Sequence, residues 1–195
     1  MLFRSGGNLA LALLCNTLAT GAMLAVLILI FASTSGAHFN PAVSLAFALR
    51  AEMTWTIVGV YVAAQVIGAI GGVWAAHLMF DLPVWQVATT VRTGPGQWLA
   101  EAIAAFGLLL TILGCVRAAP GATAYAVGLY ITAAYWFTAS TSFANPAVTI
   151  ARSLSDTFAG IAPAGVLAFI AAQVLGSVAA VVMARWLWPQ PEKPE

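Results

Sequence analysis

Two copies of the tripeptide Asn-Pro-Ala are the residues whose types and spacing point most directly to chemistry. They lie at Asn40–Ala42 and Asn145–Ala147. Asn is a favoured N-cap because its side-chain oxygen accepts a bond from an unpaired backbone N–H. Pro is favoured at the first helical position, where its missing N–H costs nothing. Each tripeptide therefore predicts a helix start, and each leaves an amide group that can donate a hydrogen bond to an oxygen-bearing solute.

The apolar segments that begin at these tripeptides are too short to cross a bilayer. They cover Pro41–Arg50 and Pro146–Ser155. At ~1.5 Å per residue each helix is about 15 Å long, half of the ~30 Å hydrocarbon core. A helix N-terminus carries about +0.5 of an elementary charge. Two half-helices that face each other would therefore form a positive centre that opposes cations and protons.

The residues just before each tripeptide are predicted to line a pore with their carbonyl groups. Non-helical backbone at membrane depth is tolerated only where it lines a cavity or is buried in protein. The predicted lining residues are Gly36, Ala37, His38, Thr141, Ser142 and Phe143. His38 is interpreted as a pore-lining side chain rather than a metal ligand, because no second His, Cys or carboxylate lies near it in the sequence. No metal or cofactor site is predicted.

The composition decides what kind of element must position these residues. Of the 195 residues, 62% are hydrophobic and 7% are charged, and the mean hydropathy is +0.97. Soluble domains average about 25% charged residues, so only lipid is a suitable solvent for this surface. The net charge of +1 excludes the basic stripe that nucleic-acid binding requires. The sequence predicts an all-α integral membrane protein with lipid around it.

Five segments are long and apolar enough to be predicted as spans, each near the ~20 residues that a spanning helix needs. They are Asn8–Ala32, Trp55–Phe80, Trp98–Cys115, Thr123–Ala139 and Ala164–Trp186. The distribution of Lys and Arg favours a cytoplasmic C-terminus. The chain is predicted to be one membrane channel domain over residues 1–195, with a cytoplasmic tail at 189–195.

The chain carries an internal repeat. The hexapeptide His38–Val43 returns as Phe143–Val148 after 105 residues, and Ala63–Gly68 returns as Ala171–Gly176 after 108. This spacing predicts an inverted duplication, with repeats at 1–80 and 97–188. Subtracting 105 from residues 98–115 gives positions −7 to 10, so the first repeat lacks its opening helix. Two explanations stay open: a truncated or misassigned start, favoured here, or a true five-span protein.

The paired motifs resemble those of aquaporins and aquaglyceroporins. The resemblance is carried by Ser35–Val43, by the second Asn145–Ala147, by the two Ala-Gln-Val-X-Gly segments and by Ala100-Glu101. It implies an aquaporin-like right-handed helical bundle, a homotetramer of independent pores centred on Asn40 and Asn145, and no enzymatic activity. It also implies that Glu101 supports the second loop by accepting its N–H groups.

One position departs from the family pattern. Most members place Arg three residues after the second Asn, and this chain has Val148 there. The other filter positions implied by the resemblance are Thr20, Ala133 (or Ala134 if the register shifts by one) and Ser142. This small, uncharged set predicts a wide filter for water, glycerol and larger neutral solutes such as undissociated arsenite. The Val resembles bacterial members encoded beside arsenic resistance, which implies the bacterial cell membrane.

Two alternatives remain beside a passive channel. A chain that lacks its first helix could be a non-conducting remnant, and inverted repeats also build secondary transporters. Ion coupling normally uses ionisable groups inside the membrane, and Glu101 and His38 are the available ones. The role of Arg152 is open between a helix-end residue and a group that reaches back to the filter from the outer mouth.

Overall fold

The computed structural model describes residues 6–189, and these residues form seven α-helices and one 3-10 turn. The helices are α1 (Leu9–Ser35), α2 (Pro41–Leu49), α3 (Trp55–Met79), α4 (Pro95–Ala118), α5 (Thr123–Phe137), α6 (Pro146–Arg152) and α7 (Pro163–Leu187); the 3-10 turn is Pro120–Ala122. The predicted all-helical membrane bundle is confirmed. Of the predicted tail at 189–195, all but Pro189 lies outside the described residues.

Four helices, α1, α3, α4 and α7, are long and apolar enough to cross a membrane. Each has 24 to 27 residues and so is roughly 36–40 Å long. The fifth predicted span is shorter than expected, because α5 ends at Phe137 after 15 residues, about 22 Å.

The two short helices begin where the tripeptides predict and end earlier than predicted. Asn40 and Asn145 are the N-caps, with extended backbone and side-chain oxygens that accept from N–H groups of the first turn. Helix α2 stops at Leu49 and α6 at Arg152. The hydroxyl of Ser153 donates to the carbonyl of Ile150 at 2.7 Å. This side-chain bond uses one of the carbonyls that a longer α6 would have paired with a backbone N–H.

Close helix crossings bring the two half-helices to the centre of the bundle. Helix α1 packs on α5 at Gly21 and Gly128, where a methyl group added to Gly128 would lie 2.6 Å from the carbonyl oxygen of Gly21. Helix α4 packs on α7 at Gly176, where the backbone of Ala102 leaves no room for a side chain. The apolar core behind the half-helices includes Leu108, Leu109, Val127, Ile131 and Val181.

Candidate solute pathway

A cavity of about 410 Å³ runs past both half-helix starts. Two kinds of residue line it: the polypeptide on either side of Asn40 and Asn145, and apolar side chains from α1, α4 and α5. The first group includes Gly36, Ala37, His38, Phe39, Asn40, Ser142, Phe143, Ala144, Asn145 and Val148, and the second includes Leu24, Ile28, Leu108, Ile112, Val127 and Ile131. The predicted pore residue Thr141 is not part of this lining.

The two Asn side chains join the half-helices reciprocally. The Asn40 amide nitrogen donates to the carbonyl of Ala144 at 2.7 Å, and the Asn145 amide nitrogen donates to the carbonyl of Phe39 at 2.9 Å. Their side-chain oxygens cap their own helices, accepting from the N–H of Ala42 at 2.9 Å and of Ala147 at 3.0 Å. Each amide has two N–H donors, so one per side chain is left for a solute in the cavity.

Glu101 of α4 supports the loop before α6. Its side chain is fully buried, and its two oxygens accept from the backbone N–H groups of Phe143 and Ala144, each at 2.8 Å. The amide of Gln173 adds a third donor at 2.7 Å and also donates to the hydroxyl of Thr149 at 2.9 Å. A buried carboxylate needs such partners, because an unpaired charge in an apolar interior is costly. Glu101 thus fixes the loop's N–H groups away from the cavity.

The same loop has a strained backbone. Thr141, Ser142 and Ala144 have positive φ angles of 61°, 48° and 47°. A non-glycine residue in the left-handed region costs roughly 1–2 kcal/mol. The carboxylate bonds from Glu101 to the N–H groups at 143 and 144 offset part of this cost.

The loop before α2 is supported by an amide. The Gln65 side chain donates to the carbonyl of His38 and, at 3.0 Å, to the hydroxyl of Ser44. The Gln65 side-chain oxygen is buried without a partner among residues 6–189. The N–H of Phe39 donates to the carbonyl of Ala37 at 3.0 Å. This N–H group of the first loop is thus paired within the loop, whereas the N–H groups of the second loop are paired with a carboxylate.

At the outer mouth, three predicted filter residues line the cavity and one does not. Thr20, Ser142 and Val148 are in the lining, whereas Ala133 is exposed on the outer face of α5. The cavity-facing residues of α5 are Thr123, Val127, Ile131 and Tyr135. They recur every four residues and share a face of the helix, and a residue two positions on points to about the opposite side. Ala133 is therefore not among the residues that line this cavity, and neither is Ala134, which is fully buried.

Arg152 also lines the cavity. Its terminal nitrogen donates to the Tyr135 hydroxyl at 2.9 Å, and its guanidinium carbon lies 4.3 Å from the Phe143 ring centroid. The side chain therefore turns back toward the pathway from the end of α6. Of the two alternatives left by the sequence, the structure favours the group that reaches back to the filter.

Arg92 is a site residue that the sequence argument missed. It lies in the loop between α3 and α4 and donates to the carbonyls of Gly160 at 2.8 Å, Phe158 at 2.9 Å and Ser140 at 3.1 Å. Burial lowers the pKa of this guanidinium, and the charge of Arg152 lowers it further while Glu101 raises it. A guanidinium remains protonated in proteins, so Arg92 ties three outer carbonyls with a fixed charge. The sequence did offer a signal, because the chain has seven Lys and Arg residues and one of them, Arg92, lies in its longest loop.

His38 is also in the cavity lining. Its ring packs 4.5 Å from that of Phe47 and 5.8 Å from that of Tyr61, measured between centroids. Within residues 6–189, no group of three His, Cys, Asp or Glu side chains is arranged to hold a metal ion. The ring faces the cavity as a polar group within an aromatic setting.

Comparison with known proteins places these features in a family. A family model described as Major intrinsic protein matches residues 3–121. The chain is 58% identical over 185 residues to Aquaglyceroporin AqpS of Rhizobium meliloti (strain 1021), covering 95% of this chain and 79% of that protein. It is 34% identical to Aquaporin NIP2-1 of Oryza sativa subsp. japonica, covering 80% and 55%. It is 37% identical to the Glycerol uptake facilitator protein of Bacillus subtilis (strain 168), covering 51% and 41%. The chain thus spans about half the length of the last two relatives.

Proposed function

The chain belongs to the major intrinsic protein family and is an integral multi-pass membrane protein, and from this premise we propose that it is a passive channel for small uncharged solutes. The observation that carries the proposal is a single cavity lined in part by both Asn residues and the loops before them and in part by apolar side chains of α1, α4 and α5. A polyol or water molecule can exchange its hydrogen bonds along such a lining while its carbon atoms contact the apolar side chains.

Exclusion of ions is the second part of this proposal. The N-termini of α2 and α6 meet at the Asn pair, and their partial positive charges oppose cations there. Besides the phenol of Tyr135, the ionisable side chains in the cavity lining are His38 and Arg152. Neither offers the carboxylate that proton or sodium coupling ordinarily uses, which favours a passive channel over a coupled transporter.

The size of the solute is the third part. Val148 occupies the lining one turn into α6, and it lacks the planar donor fork of an arginine. We propose that the pore is therefore wide enough at the level of Val148 for glycerol and for larger neutral molecules, including undissociated arsenite. The names of two relatives, an aquaglyceroporin and a glycerol uptake facilitator, favour glycerol as the first solute to test.

Assembly as a homotetramer is proposed with each chain carrying its own pore. Helix α3 exposes large apolar side chains such as Val60 and Ile67. Such a face requires lipid or a second copy as its neighbour. Mass determination in a mild detergent tests the assembly, and a monomer there would contradict it.

Flux measurements test the channel itself. The protein is reconstituted in liposomes, and light scattering follows volume under water and glycerol gradients. Wild type is expected to pass glycerol faster than empty liposomes, and Val148→Arg is expected to slow glycerol because the longer side chain enters the cavity. Ala133→Val is the matched control, since residue 133 faces outward and flux should be unchanged.

Each other outcome has a definite meaning. Absence of both water and glycerol flux in folded wild type would identify a non-conducting protein. Accumulation of solute against its gradient, dependent on an ion gradient, would identify a secondary transporter. A normal rate in Val148→Arg would contradict the proposed place of Val148 in the narrow region.

A further inference from the structure

We infer that Arg152 is the charge-selecting residue of this pore, acting one helical turn outside the level of Val148. The inference rests on the proposed channel function and adds a specific determinant to it. Four residues along α6 correspond to about 6 Å. The position nearer the centre is thus left open by Val148, while a guanidinium lines the cavity at the outer mouth.

Aromatic side chains hold the Arg152 guanidinium over the pathway. Its carbon lies 4.3 Å from the Phe143 ring centroid and 5.9 Å from that of Tyr135. Both distances are within the range in which a cation is attracted to the face of a ring. Phe143 belongs to the loop that Glu101 fixes, so the support of Arg152 is itself rigid.

Tyr135 anchors the guanidinium from α5. It is 4% exposed, and its hydroxyl accepts from Arg152 at 2.9 Å while also interacting with the side chains of Asn16 and Thr20. The contact therefore bridges α6 to α5 and α1 across the mouth. A long arginine side chain that only reached for lipid headgroups or water would have no such partners on the far side of the cavity.

The guanidinium retains donors for a solute. Among residues 6–189, Tyr135 is the hydrogen-bond partner of the Arg152 side chain, and a guanidinium carries five N–H donors. Arg92 is the instructive contrast, because it packs 5.1 Å from the same Phe143 ring but spends its donors on three backbone carbonyls and does not line the cavity. Of these two neighbouring cations, Arg152 faces the solute.

Solute size and solute charge are therefore selected at two different levels of the pore. Width is set at the level of Val148, and charge selection is set outside it by a fixed positive group whose N–H donors bind the oxygens of neutral solutes. A cation entering from this side meets Arg152 before it reaches the positive ends of α2 and α6. The pore can then be wide and still exclude cations.

The test measures charge selectivity apart from solute flux. Wild type, Arg152→Gln, Arg152→Lys and Tyr135→Phe are reconstituted in liposomes, and glycerol flux is measured together with the leak of protons and potassium ions. Arg152→Gln is expected to change glycerol flux, because it removes donors that bind the solute, and to raise the ratio of cation leak to glycerol flux roughly tenfold, equivalent to about 1.4 kcal/mol of barrier. Arg152→Lys retains the charge and should keep the leak low.

Tyr135→Phe separates the anchor from the charge. It leaves Arg152 in place but removes the hydrogen bond to its guanidinium. Glycerol flux through this variant should therefore differ from that of wild type, while its cation leak should stay as low as in wild type. Thermal unfolding and gel filtration establish that each variant is folded.

The possible outcomes separate failure of this inference from failure of the proposed channel function. A wild type that passes no glycerol would overturn the proposed channel and this inference with it. Normal wild-type flux, with Arg152→Gln excluding cations as well as wild type does, would overturn the inference alone and leave Arg152 as a helix-end residue. If Arg152→Gln does not fold, a high leak in the folded Arg152→Lys would also overturn it.

Discussion

The loop before α6 is held by a buried carboxylate, whereas the loop before α2 is held by a half-buried amide. Glu101 accepts from two backbone N–H groups of the second loop and from Gln173. In the first loop, Gln65 donates to a carbonyl and a hydroxyl. Because charge-assisted bonds are roughly twice as strong as neutral ones, the same tripeptide is supported more firmly in the second half than in the first.

The long helices that follow the half-helices also differ, since the one in the second half is more deeply buried. Nine of the 25 residues of α7 are buried, against two of the 25 residues of α3. Helix α7 packs along α4, which also carries Glu101, and within residues 6–189 α3 has no counterpart of α4 beside it. One helix thus supplies both the packing surface and the carboxylate, and its two contributions are absent together from the first half.

The largest effect is expected from Glu101→Gln. The amide has the size of the carboxylate but presents an NH₂ group to backbone donors, so stability should fall by roughly 3 kcal/mol and solute flux should fall with it. Thermal unfolding in detergent and liposome flux measure the two effects. Glu52→Gln is the matched control, because Glu52 forms a surface ion pair with Arg50 at 2.7 Å, and such pairs contribute about 0–1 kcal/mol. Equal losses of stability in both variants would contradict the proposed difference in support between the two halves.

The glycines of the repeated Ala-Gln-Val-X-Gly segment provide the next test. A side chain at Gly176 collides with the backbone of Ala102, whereas at Gly68 no described atom lies within 4 Å. Gly176→Val should destabilise the protein by roughly 1–3 kcal/mol through overpacking, and Gly68→Val should change it by less than about 0.5 kcal/mol. Paired melting curves decide this. A large loss in Gly68→Val would indicate that another chain or segment covers α3.

The two glutamines should differ less. Gln173 is fully buried and donates to a charged acceptor, while Gln65 is half-buried and donates to neutral ones. We expect Gln173→Leu to cost about 2 kcal/mol and Gln65→Leu about 1 kcal/mol, because bonds to charged groups contribute more. Denaturation of the two variants under identical conditions gives the comparison. The reverse order would show that the first loop depends more on its glutamine than the geometry indicates.

The smallest effect concerns the outer loops. Asp156 accepts from the backbone N–H and the hydroxyl of Thr89, each at 2.8 Å, and these bonds lower the pKa of the exposed Asp156 carboxyl. Its stabilising contribution is therefore present above the ordinary value near 3.9 and is lost as pH falls through the lower folded-state pKa. The stability difference between wild type and Asp156→Asn should shrink as the pH falls below the ordinary value and vanish once the carboxyl is protonated in the folded protein. A difference that persists in acid would mean that the carboxylate charge is not its source.

The elements of the site were largely predictable from local residue chemistry. Asn and Pro specify a helix start through their own side chains, so the beginnings of α2 and α6 follow from Asn40-Pro41 and Asn145-Pro146 without tertiary information. The ends of these helices were less predictable, because α6 stops at Arg152 through a side-chain bond of Ser153 to the backbone. The short α5 was also overestimated, since an apolar run does not reveal where a helix becomes an extended loop.

The amino-acid sequence by itself determined that this is a helical membrane protein with two facing half-helices, because composition and capping chemistry act locally. Only the tertiary structure decided which side chains face the solute. The long helices are apolar on all sides, so no hydrophobic periodicity fixes their rotation. The cavity lining on α5 includes Ile131 and Tyr135, and the sequence alone does not select them over Ala133. The contacts of Arg92 and Arg152 join segments distant along the chain, and their geometry exists only once the helices have packed.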